Sequence, residues 1–194
     1  MKSFIYILLG IIILVGCKNK EKNNSVNHNH VEKSEAECIV IPANDTAKFI
    51  SKQLIVKGTV TNELLLTVDS LKKMNSVILD SSNVICHSGA TTSMYKTRRG
   101  VLLKDIIDKA IIKQENHKDR NFIIVARATD NYKATFSWAE IYNNPTGLNT
   151  YVLFEEDGKP IQTHGEMKLF CANDIKTGPR QVVWLKSIEI SRVN

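Results

Sequence analysis

Phe122-Ile123-Ile124-Val125-Ala126-Arg127, then Thr129-Asp130-Asn131-Tyr132, then Lys133-Ala134-Thr135-Phe136 and Ser137-Trp138-Ala139-Glu140 form the stretch that decides the fold. The first block is rich in β-branched and aromatic side chains, which suit a pleated, half-buried surface. Asn131 tolerates the left-handed backbone of a tight turn, so the chain folds back into an antiparallel hairpin. Ser137, followed three residues later by Glu140, is a capping box, and a short helix should leave directly from the returning strand. Strand, tight turn, strand and capped helix in succession predict α+β architecture with mostly antiparallel sheets.

The same grammar continues in both directions. Tyr151 to Phe154 and Lys159 to Gln162 flank Glu156-Asp157-Gly158, a hairpin turn by composition, and Lys168 to Ala172 and Val182 to Ile190 read as two more strands. Upstream, Leu54 to Val60 is a strand broken by Gly58, Glu63 to Leu66 its return, and Thr67 the cap of a short helix carrying Leu71 and Met74. Ser76 to Leu79 and Asn83 to Cys86 read as two brief strands joined by a turn at Asp80-Ser81-Ser82. Leu102, Leu103, Ile106, Ile107 and Ala110 recur at helical spacing, with Lys104, Asp105, Asp108 and Lys109 on the other face. Lys96, Arg98 and Arg99, just before that helix, read as a solvated edge strand or as an anion contact at the helix start. The sum is roughly eight to ten short strands with two or three short helices.

At the N-terminus, Met1-Lys2 leads into an apolar run from Phe4 to Val15 that closes on Leu14-Val15-Gly16-Cys17. The run covers about 12 positions, against the roughly 20 that a membrane-spanning helix needs, and therefore reads as an address to be removed. The motif resembles the bacterial lipobox. That resemblance implies cleavage after Gly16, an acylated Cys17 as the new N-terminus, and a lipid anchor in the bacterial cell envelope, facing the periplasm or the exterior. The expected organisation is a signal peptide over residues 1–16, the lipidated Cys17 and a flexible linker over 17–37, and one domain over 38–194. From Lys18 to Glu37 the composition of Lys, Asn, Glu, Ser and His buries too little to order itself, and His28-Asn29-His30 reads as part of that tether.

Loss of residues 1–16 leaves 178 residues and lowers the formal net charge from +6 to +5, because Lys2 is the only charged residue removed. The basic residues are scattered, which argues against a nucleic-acid partner and fits a protein near anionic lipid, or one with a site for a small anion. With Cys17 acylated, Cys38, Cys86 and Cys171 form at most one intramolecular disulfide. Cys171, between Leu169 and Ala172, reads as a buried core thiol. Phosphate-binding glycine loops, HExxH, CxxC and nucleophile-elbow motifs are absent from the sequence.

Taken in order, these segments resemble the oxidoreductase molybdopterin-binding domain typified by the sulfite oxidases, and are most similar to its minimal single-domain members. The matching pieces are Leu66 to Leu71, Arg99 to Ile107, Ala128 to Tyr132 with Phe136 to Glu140, Glu156 to Ile161, His164-Gly165, and Gly178 to Ile190. The resemblance implies a sulfite oxidase-like molybdopterin-binding fold from about Leu54 to the C-terminus. It also implies the molybdenum cofactor, with Cys86 as metal ligand and catalytic residue. The pterin and its phosphate would be held by His164, Gly165, Lys176, Thr177, Gly178 and Arg180. A thiolate suits a soft metal and cations suit a phosphate. After Cys86 the chain reads His87-Ser88-Gly89-Ala90 where the family has Gly-Asn and an arginine-bearing loop.

Two functions follow. One is an envelope molybdopterin-dependent oxidoreductase that exchanges two electrons and an oxygen atom with a small anionic substrate and passes electrons to a redox partner protein. The other is a binding module of the same fold without cofactor, for a small anionic ligand or an envelope partner protein.

Overall fold

The computed structural model describes residues 47–193. The leader, Cys17, the tether with His28 and His30, and Cys38 lie outside the described residues.

Among the described residues ten strands form two sheets. The first has the order β2-β1-β10-β5-β6, from β1 (Leu54–Gly58), β2 (Leu64–Leu66), β5 (Phe122–Ala128), β6 (Lys133–Ser137) and β10 (Leu185–Arg192). The second runs β3-β4-β7-β8, from β3 (Ser76–Ile85), β4 (Thr91–Leu102), β7 (Thr150–Glu156) and β8 (Lys159–Pro160), with β9 (Lys168–Cys171) also paired to β7. Pairing between strands is antiparallel except for β1 beside β10, where Ile55 faces Ser187 and Gly58 faces Ile190.

The opening stretch folds as its residues dictate. β5 alternates buried and half-buried positions, Asn131 takes φ 73°, and β6 returns with Ala134 and Phe136 inward. The Ser137 hydroxyl then accepts from the Glu140 amide at 3.2 Å, while the Glu140 carboxylate accepts from the Ser137 amide at 2.8 Å, starting α3 (Trp138–Tyr142). Thr67 caps α1 (Val68–Lys72), and α2 (Leu103–Ala110) buries Leu103, Ile106, Ile107 and Ala110. These side chains join Val56, Ile124, Ile188, Val152 and Leu169 in one core that both sheets share. Asp157 and Gly158 have φ 50° and 72°, the paired left-handed conformations of a tight hairpin between β7 and β8.

The β3–β4 hairpin corrects the sequence reading. Asp80-Ser81-Ser82 is no turn but the middle of a ten-residue strand, and the chain reverses at Cys86–Gly89 instead, with Gly89 at φ 94° and its amide donating to the Cys86 carbonyl at 2.9 Å. Polar side chains are tolerated there because Asp80 and Ser81 are exposed. β4, twelve residues long, lies between β3 and β7, so Arg98 is not on a solvated edge: the neighbouring strands cover it and it is 1% exposed. The last strand begins at Leu185 and not at Val182, since Trp184 at φ 51° interrupts the extended backbone.

Candidate functional site

The hairpin tip and the loop before β10 meet, and they do so through hydrogen bonds to the hairpin's backbone. The Thr177 hydroxyl accepts from the Ile85 amide at 3.0 Å and donates to the Asn83 carbonyl at 2.7 Å. The Gly178 amide donates to the Ile85 carbonyl at 2.8 Å, and the Lys176 ammonium donates to the His87 carbonyl. A Cβ at Gly178 would stand 2.8 Å from the Ile85 carbonyl oxygen, so the glycine permits this close approach. Cys86 is half-buried beside the loop, and both Cys86 and Cys171 are free thiols. Cys171 is buried, accepts from the Thr150 hydroxyl at 3.4 Å, and burial raises its pKa.

Arg180 is turned inward to acidic partners. Its Nε donates to Asp174 Oδ2 at 2.8 Å, Nη1 to Glu140 Oε1 at 2.8 Å, and Nη2 to Asp174 Oδ1, while the guanidinium lies 4.5 Å over the Phe136 ring. Burial pushes the Glu140 carboxyl up, but its bonds from the Ser137 amide, Arg180 and the Ser137 hydroxyl together hold it below the ordinary range. Between β3, β9 and this loop lies a cleft of about 400 Å³ whose lining includes Asp80, Asn83, Tyr151, Phe170, Asp174 and Thr177. Its charged members are carboxylates.

His164 and Gly165 sit elsewhere, against Trp184. The His164 carbonyl accepts from the Trp184 amide at 2.8 Å. Gly165, at φ 81°, passes so close that a Cβ would lie 3.0 Å from the Trp184 Cα. The His164 ring is 5.8 Å from that of Trp184, and the Trp184 indole nitrogen is buried without a partner. His164 is exposed; partial desolvation and then the Lys168 ammonium lower its pKa, with Glu156 opposing.

That electrostatic link leads to a buried group of which the sequence reading named Arg98 alone, as part of a solvated edge strand or as an anion contact at the helix start. On β4, Arg98 is clamped between two aromatic faces, its guanidinium carbon 4.0 Å over Tyr95 and 4.2 Å over Phe170. Its register partner on β7 is Glu156, whose Oε2 accepts from Lys168 of β9 at 2.7 Å and whose Oε1 stands 3.8 Å from Arg98 Nε, beyond hydrogen-bonding distance. The Arg98, Lys168 and Glu156 side chains are 0%, 2% and 13% exposed. Burial lowers the pKa of both cations, with Glu156 opposing it. Among the described residues six buried side-chain polar atoms lack a partner, and four belong to this group: Arg98 Nε, Nη1 and Nη2, and Glu156 Oε1. Buried polar atoms are nearly always satisfied, so such a concentration in one group calls for a physical explanation. Beside Arg98, the sequence held one further signal for it, a lysine at 168 between Met167 and the apolar Leu169-Phe170-Cys171. Among the described residues no group of three or more His, Cys, Asp and Glu side chains gathers as a metal site.

The architecture is α+β, with mostly antiparallel sheets and few short helices, and known structures share its fold. A solved structure that shares it is the sulfane dehydrogenase SoxCD from Paracoccus pantotrophus, with a TM-score of 0.53 and 14% identity over 78% of this chain and 39% of that one. The chain thus spans well under half the length of that protein, and at this identity the likeness is one of fold. No family model matches the sequence, and no curated protein matches it.

Proposed function

We propose that the chain is a lipid-anchored protein of the bacterial cell envelope whose sulfite oxidase-like domain is a binding module for a small anionic ligand and works without the molybdenum cofactor. The observation that carries this is a contrast in engagement. A phosphate-bearing pterin needs cations and amides free to meet it. The Thr177 hydroxyl, the Gly178 amide, Lys176 and Arg180 already bond within the chain, and Arg180 faces two carboxylates. The residues therefore do not fit the pterin as they stand. Arg98, by contrast, is a buried cation whose nearest carboxylate, Glu156, stands at 3.8 Å and whose guanidinium nitrogens make no close hydrogen bond to it.

One observation favours the oxidoreductase reading: Cys86 does lie at the hairpin tip against the Lys176–Gly178 loop. Metal analysis of protein matured in its own envelope, with pterin fluorescence after oxidation, separates the two. The binding-module reading expects no stoichiometric molybdenum. Stoichiometric molybdenum that disappears in Cys86→Ser would establish the oxidoreductase.

A further inference from the structure

We infer that the ligand of the Arg98 site is a small monocarboxylate, held edge-on by Arg98 Nη1 and Nη2 in the slot between Tyr95 and Phe170; this rests on the anion-binding reading above.

Charge comes first. Arg98 and Lys168 are cations and Glu156 is one carboxylate, so the buried group carries one unbalanced positive charge, which is costly where water is excluded. Asp157, whose field also reaches Arg98, is exposed and already accepts the Lys96 and Thr97 amides at 2.7 and 3.1 Å. A monoanion brings the group to neutrality, whereas a dianion reverses the imbalance in the same medium.

Shape selects among monoanions. Rings 4.0 and 4.2 Å from the guanidinium carbon close both faces of its plane, so a ligand meets Arg98 only along an edge. If the 3.8 Å ion pair with Glu156 closes to a hydrogen bond it engages Nε alone, and Nη1 and Nη2 keep no close acceptor once the Tyr95 hydroxyl, a polar neighbour of the guanidinium, swings away with its ring. Two parallel donors match the two oxygens of a planar carboxylate, and donor and acceptor then share one plane within the slot. A tetrahedral sulfate or phosphate drives oxygens out of that plane into the ring faces. The surroundings also fit an apolar body: Phe170 packs with Leu153 and Ile161, and Leu79 and Tyr151 lie against them. Of the two rings Phe170 is 1% exposed and Tyr95 is half-buried, so Tyr95 is the wall that swings to admit the ligand.

The test titrates the full-length protein in detergent with sodium benzoate, acetate, sulfate and inorganic phosphate at constant ionic strength, by calorimetry and by arginine Nε–Hε NMR. Arg98 is recognised by the ring-current shift that two flanking rings impose. Benzoate or acetate should move that resonance saturably and raise the melting temperature, sulfate and phosphate should do neither, and Arg98→Met should weaken carboxylate binding at least tenfold. The wild-type resonance decides the matter even if Arg98→Met fails to fold. Sulfate or phosphate binding as tightly as benzoate through Arg98 overturns the carboxylate assignment and leaves the anion-binding reading standing. Undiminished binding by folded Arg98→Met overturns the site. A resonance that no anion moves overturns both, whereas a failure of the cofactor-free reading shows separately, in the molybdenum content.

Discussion

Gly178 shows how a single residue shapes the region around Cys86. Its lack of a side chain lets the loop bond to the Ile85 carbonyl, and an added Cβ would lie 2.8 Å from that oxygen and 3.4 Å from the Cys86 Cα. Gly178→Ala should cost about 1–3 kcal/mol of stability, the usual range for forcing atoms into packed structure. Lys176→Ala, at an exposed position, should fall within about 0.5 kcal/mol of wild type. Equal melting temperatures for the two variants would mean the loop is not seated as described. Arg180 adds a pH dependence. Because the folded Glu140 carboxyl is held below its ordinary 4.5, it contributes stability above that pH and loses it as pH falls through the folded value. Arg180→Met removes one source of that shift. Its deficit against wild type should therefore be largest near neutrality and shrink as pH falls below about 4.5, as melting curves across that range would show. A constant deficit would assign the loss to packing on Phe136 alone.

Local signals were legible wherever an element is fixed by neighbouring residues. The capping box at Ser137, the turn at Asn131, the Asp157-Gly158 reversal and the apolar stripe of α2 could all be read from residues a few positions apart, and each appears in place. The amphipathic reading of α2 makes its own prediction. Leu103→Asp or Ile107→Asp should cost about 3 kcal/mol or more by placing a carboxylate among fully buried apolar groups. Lys109→Ala, on the exposed face, should change the midpoint of chemical unfolding little. Similar midpoints for both kinds of variant would refute the stripe. What stayed illegible depended on partners far along the chain. β3 runs straight through Asp80-Ser81-Ser82 because β4 pairs with it along most of its length, and pairing overrides the turn composition of those residues. Likewise, nothing near Arg98 announces its burial, which arises because register sets it opposite Glu156 and because β9 brings Lys168 to the same carboxylate. The pieces quoted for the family resemblance carried the fold, yet the same pieces pointed at the Lys176–Arg180 loop, where the groups are engaged, and past the strand where they are not.

At the scale of the whole molecule the two sheets divide their work. The first supplies more of the shared core than the second, with α1 and α3 beside it, while the second carries Arg98, Glu156 and Lys168 on the neighbouring strands β4, β7 and β9 and ends in the hairpin that holds Cys86. On the proposed lipoprotein reading, anchoring should depend on Cys17, because lipidation contributes about 0.8 kcal/mol per buried CH₂ and more than one chain is required for stable attachment. A Cys17→Ser protein should either leave the membrane fraction or stall with its leader uncleaved, visible as altered fractionation or an altered mobility. A second protein beginning at about residue 38 should be soluble, melt cooperatively, and keep the carboxylate response of Arg98, since Lys18 to Glu37 has almost no apolar side chains to lose. Native size and fractionation in Cys17→Ser would remove the lipoprotein reading without touching the domain. A shortened protein that failed to melt cooperatively would show instead that residues before the first strand complete the core, and that the boundary of the domain lies further upstream.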